Sequence, residues 1–92
     1  MGQVLRAVAY QHHGLWMVQC IEHDIRARAY SIDEVPRAIL NAFRERMALD
    51  QSLGRQPLEG VAPAPEAFVE MFQRAQNKRP LSENGDEIQL AY

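Results

Sequence analysis

Residues 25–30 read Ile25-Arg26-Ala27-Arg28-Ala29-Tyr30. Ile25, Ala27 and Ala29 fall on one parity, and Arg26, Arg28 and Tyr30 on the other. Successive side chains of a strand point to opposite faces, so strict alternation marks a strand buried on one side. The arginine pair on the open side also guards a sheet edge against aggregation. Upstream, Leu15-Trp16-Met17-Val18-Gln19-Cys20-Ile21-Glu22 reads as a second strand and residues 3–11 as a first. His12-His13-Gly14 joins these two, with Gly14 free to take a positive φ. So short a link makes an antiparallel hairpin. The polar turn Glu22-His23-Asp24 leads into residues 25–30 and completes a three-stranded meander, with Asp24 expected to bond local backbone. Both faces of the first two strands are partly apolar, so helices or a partner chain should cover part of the second face.

Downstream, Val35, Ala38, Ile39, Ala42, Phe43 and Met47 recur at helical spacing. Arg37, Arg44, Glu45 and Asp50 fall mostly off that stripe. Ser31 and Glu34 have capping-box spacing, but that start would leave Pro36 well inside the helix. Asp33 as N-cap puts Pro36 at the third helical position, where no intrahelical donor is needed. Gly54 suits the end. Residues 54–65 are a loop by their Gly and Pro content. Pro65 opens a second helix with Phe68, Met71, Phe72 and Ala75 on its apolar face and Val69 beside them, ended by Asn77-Lys78-Arg79-Pro80. Residues 82–86 read as a turn. Residues 87–92 read as a short strand with Ile88, Leu90 and Tyr92 on one face. The expected fold is α+β, in the order β-β-β-α-α-β over a single domain 1–92. Its last strand would lie parallel to the first after a crossover through the helices.

Composition narrows the function. A chain of 92 residues suits one core without staples. A net charge of −2 lacks the basic excess of domains that bind nucleic acid by bulk electrostatics. A lone cysteine, Cys20, makes no internal disulfide and fits a reducing cytoplasm. The N-terminus has no signal-peptide pattern, and no apolar run nears the ~20 residues of a membrane span.

The polar residues invite three chemistries. His12, His13, Cys20, His23 and Asp24 are zinc-ligand types. Cys20 and His23 have opposite strand parity, and His12 and His13 sit at the other end of the strand, so no metal site is expected. Glu22, His23 and Asp24 could exchange protons. No nucleophile or oxyanion motif accompanies them, so no catalytic residue is assigned. Arg26 and Arg28 form the most credible contact patch, and Trp16 is either core or an interface anchor.

Gly14-Leu15-Trp16-Met17-Val18-Gln19-Cys20, Glu22-His23-Asp24-Ile25 and Arg26-Ala27-Arg28-Ala29-Tyr30-Ser31, running into Asp33-Glu34-Val35, resemble the N-terminal half of the HicB antitoxin family. The likeness covers about the first half of the chain and its last strand, through short, degenerate motifs. It implies a partial ribonuclease H-like sheet with a helix on one face. The family's usual Leu-Pro-Gly-Cys turn is replaced by His23-Asp24-Ile25-Arg26. The segment 54–77 is an atypical insert, and no DNA-binding tail is expected. The metal-binding carboxylates of ribonuclease H chemistry are absent from the strands, which hold Val, Ala, Arg and Trp.

The expected function is that of a non-catalytic, cytoplasmic, bacterial protein-interaction domain without a cofactor. It would bind a partner protein such as a small toxin, or homodimerise through a sheet edge or its second sheet face. The candidate partner-binding residues are Trp16, His23, Asp24, Arg26, Arg28 and Tyr30. The alternative is an RNA- or DNA-contacting module using Arg26, Arg28 and Tyr30. A metal-dependent enzyme built on His23 and Asp24 is the third and weakest reading.

Overall fold

The computed structural model describes residues 4–83 and 86–92. Strands β1 (Val4–His12), β2 (Leu15–Cys20) and β3 (Arg26–Ala29) form the expected antiparallel meander. The link between β1 and β2 places both His13 (φ 50°) and Gly14 (φ 78°) in the left-handed region. That is the backbone of a type I′ hairpin turn, which matches the twist of the flanking strands. Helices α1 (Val35–Ser52) and α2 (Glu66–Arg74) follow, then β4 (Lys78–Glu83) and β5 (Asp86–Ala91). The sheet order is β3-β2-β1-β5-β4, with β5 parallel to β1 and β4 antiparallel to β5.

The observed element order is therefore β-β-β-α-α-β-β, with one strand more than expected. Residues 78–80 do not end α2, which stops at Arg74; they begin β4. Ser82 and Glu83 belong to β4 and Asp86 opens β5, while residues 84–85 of the expected turn lie outside the described residues. Proline usually terminates elements. Here Pro80 occupies an edge strand, where a missing N–H costs no ladder bond.

One sheet face carries the main core. Ala7, Val18, Cys20, Ala29, Ile88 and Leu90 pack under Val35, Ile39 and Phe43 of α1. On the other face Val8, Ile21 and Ala91 pack against Phe72 of α2, with Phe68, Val69 and Ala75 around it. α2 thus covers part of the partly apolar second face, over β1 and β5. Met71 of the expected apolar stripe is instead exposed. Phe72 also lies near two cations, with Lys78 Nζ 5.0 Å and the Arg6 guanidinium 5.7 Å from its ring centroid.

The start of α1 differs from expectation. A 3-10 turn at Ile32–Glu34 precedes the helix, Glu34 is its N-cap, and Pro36 falls in its first turn. Asp33 lies within the 3-10 turn, and Ser31 makes no side-chain cap. Glu34 still reaches back, accepting a bond from the Tyr30 N–H at 3.3 Å. Gly54, at φ 72°, follows the helix end as expected.

Asp50 does not lie off the buried stripe. It is fully buried and accepts bonds from the Leu58 N–H at 2.7 Å, Arg55 Nη2 at 2.9 Å and Arg46 Nε at 3.2 Å. The loop beyond α1 is thereby tied to the helix. Further along, Asp24 N–H donates to the Ala62 carbonyl (2.6 Å) and Ala64 N–H to the Ile21 carbonyl (2.9 Å). The segment that punctuation marked as a loop is thus pinned at both ends by hydrogen bonds.

Candidate functional site: the open edge at β3

The sheet has two edges, β3 and β4. Which backbone groups each edge offers follows from ladder parity. In an antiparallel pair, residues alternate between exchanging both backbone bonds and exchanging none. The Cys20 N–H donates to the Ile25 carbonyl at 2.9 Å, and Arg26 pairs with Gln19. The bonded pairs along β2–β3 are therefore Val18–Ala27 and Trp16–Ala29. The N–H and C=O groups of Arg26 and Arg28 point away from β2, to the open side. Tyr30 has the same parity, and its N–H is taken by Glu34.

The same reasoning fixes the other edge. Asn77 and Tyr92 exchange bonds at 3.0 and 2.9 Å. Arg79 and Leu81 then bond β5, and Lys78, Pro80 and Ser82 face outward. Pro80 has no N–H, so the middle of that edge lacks its donor. Edge β4 is blunted, and β3 is the edge with its donors in place.

Beside β3, its outer side and the flank of α1 enclose a groove of ≈ 560 Å³. Ala27, Ala38 and Ala42 make its floor, and Arg37, Asn41 and Glu45 its outer rim. Small side chains at helical spacing hold the groove open. On the opposite sheet face, Arg26 and Arg28 are exposed, across the ladder from Gln19 and Met17. Tyr30 is 84 % exposed at the strand's end.

Of the six residues expected at the site, the structure brings Arg26, Arg28 and Tyr30 together on this edge. Asp24 adjoins it. Its carboxylate lies 3.5 Å from Arg26 and accepts a bond from Gln19 Nε2 at 2.8 Å, so its side chain bonds side chains and not the local backbone expected of it. Trp16 is half-buried, packed against the α1 core and opposite Ala29. His23 lies in the β2–β3 turn with Nδ1 buried and, among the described residues, without a partner. Gln19, Pro80 and the alanine floor went unseen in the sequence. A polar residue amid an apolar strand was the available sign of Gln19, which is buried and bonds the Cys20 carbonyl as well as Asp24.

Cys20, Glu22 and Asp50 are each held in a defined environment. Burial pushes the Cys20 thiol up to about 11; the His23 backbone opposes this and the nearby Glu22 charge adds to it. A thiol so placed is not a nucleophile at neutral pH. Glu22 accepts from the Arg6 N–H at 2.7 Å and Arg6 Nε at 2.6 Å. Its burial acts upward, but these bonds outweigh it and hold the carboxyl below its ordinary range. Asp50 behaves likewise: desolvation acts upward, and the Leu58 N–H with Arg46 and Arg55 brings the net shift down. Among the described residues no three His, Cys, Asp or Glu side chains are grouped to hold a metal, and no helix is long and apolar enough to cross a membrane.

Compared with known proteins, the chain matches no family model, no curated protein and no solved structure.

Proposed function

We propose that this chain is a non-catalytic protein-interaction domain, akin to HicB-type antitoxins, that engages a partner protein along β3. The observation that carries the reading is the contrast between the edges. Among the described residues the outward N–H groups at Arg26 and Arg28 have no strand beside them, while Pro80 removes the central donor of β4. The β3-β2-β1-β5 order, with β5 parallel to β1 and a helix on one face, supports the partial ribonuclease H-like reading; β4 is an addition to it. The cytoplasmic placement rests on the single buried thiol.

A direct test is a photoreactive amino acid in place of Arg26 or of Pro80, expressed in the native host. Position 26 should give a discrete protein adduct that Arg28→Pro removes. Equal adducts from position 80, or none from position 26, would count against the proposal. The nucleic-acid reading uses the same exposed Arg26, Arg28 and Tyr30. It is weaker, because a net charge of −2 lacks the basic excess that such binding draws on.

A further inference from the structure

The geometry points to a specific kind of occupant for the β3 edge: an extended segment of a partner protein that alternates acidic and apolar residues. This rests on the reading of β3 as the binding edge and goes on to specify what binds there. A strand added beside β3 pairs its backbone with the outward groups of Arg26 and Arg28. Its side chains then alternate between the two sheet faces. Those on one face enter the groove above Ala27, Ala38 and Ala42, whose methyl floor suits apolar side chains beneath a polar rim of Arg37, Asn41 and Glu45. Those on the other face lie beside exposed Arg26 and Arg28, where carboxylates are the complementary neighbours. The Tyr30 N–H is held by Glu34, so the added strand ends there.

Charge also argues against a second copy of this chain as the occupant. Two β3 strands pairing antiparallel through the outward groups of both Arg26 and Arg28 are centred on Ala27. That register sets Arg26 of each copy opposite Arg28 of the other, twice, on one face. Like charges directly opposite are destabilising, whereas an acidic strand turns the same positions into attractions.

The test is selection of a random dodecapeptide library, displayed on phage, against the full chain. Amide-resolved hydrogen exchange would then locate the enriched peptides. The expected result is peptides alternating Asp or Glu with apolar residues that protect the Arg26 and Arg28 amides. Arg26→Glu/Arg28→Glu should weaken them by about tenfold or more, and Arg28→Pro should abolish binding. Peptides that protect those amides without acidic alternation, or that ignore the charge reversal, would overturn the occupant and leave the edge reading standing. If no peptide protects those amides, both fall. A dimer in sedimentation that protects them in the free chain would overturn the inference in favour of a second copy.

Discussion

Substituting proline at successive positions of β3 should give opposite results at neighbouring residues. Ala27→Pro removes the N–H that bonds Val18 across the ladder, and Val18 is fully buried. The lost bond is worth about 1 kcal/mol, and the stranded Val18 carbonyl adds roughly 1–3 kcal/mol of desolvation, for a total of about 2–4 kcal/mol. Arg28→Pro removes an N–H that faces the open edge and bonds nothing in β2. The preceding residue is already extended, as proline requires. Its expected cost is about 1 kcal/mol or less, close to that of Arg28→Ala. Urea unfolding separates the two. With a slope of about 1–1.5 kcal/mol per molar, Ala27→Pro moves the midpoint by roughly 1.3–4 M and Arg28→Pro by less than ~1 M. Equal losses at the two positions would refute the ladder parity, and with it the assignment of Arg26 and Arg28 as outward-facing.

Other outcomes follow from the same structure. Ile39→Ala, at a fully buried position of α1, should cost about 2–5 kcal/mol in chemical denaturation. Native Cys20 should resist a thiol reagent at pH 8 and react fully once the chain is unfolded, because its pKa is near 11 and it is buried. Glu22 and Asp50 have folded pKa values below their ordinary 4.5 and 3.8. Their stabilisation is complete above those ordinary values and is lost as pH falls through the depressed ones, so acid titration of Glu22→Gln should show a shallower loss than the parent. Asp50→Ala should expose the following loop, seen as faster tryptic cleavage at Arg55 under native conditions. Nucleic-acid binding in a filter assay should be negligible at physiological salt; strong binding that falls steeply with salt would favour the alternative reading.

The meander was legible because alternation at residues 25–30 and the His13-Gly14 turn are local signals. The parallel pairing of β1 and β5 followed from chain handedness and connection length. Edge strand β4 was not legible, because Lys78-Arg79-Pro80 has the composition of a helix terminator and becomes a strand only through its pairing with β5. The start of α1 turned on whether Asp33 or Glu34 caps it, a choice a 3-10 turn decides. At the site, Arg26, Arg28 and Tyr30 could be picked out by parity. Trp16 could not be told from a core residue, since an aromatic in a strand reads the same whichever face is covered. The groove depends on Ala38 and Ala42 meeting β3 across space, which periodicity alone does not convey.

Amide-resolved hydrogen exchange of the free chain, repeated with its crosslinked partner, bears most directly on β3 as the binding edge. Arg26 and Arg28 should exchange near intrinsic rates in the free chain while Ala27 and Ala29 are protected, and all four should be protected in the complex. Protection of Arg26 and Arg28 in the free chain, or no gain of protection on binding, would contradict that account.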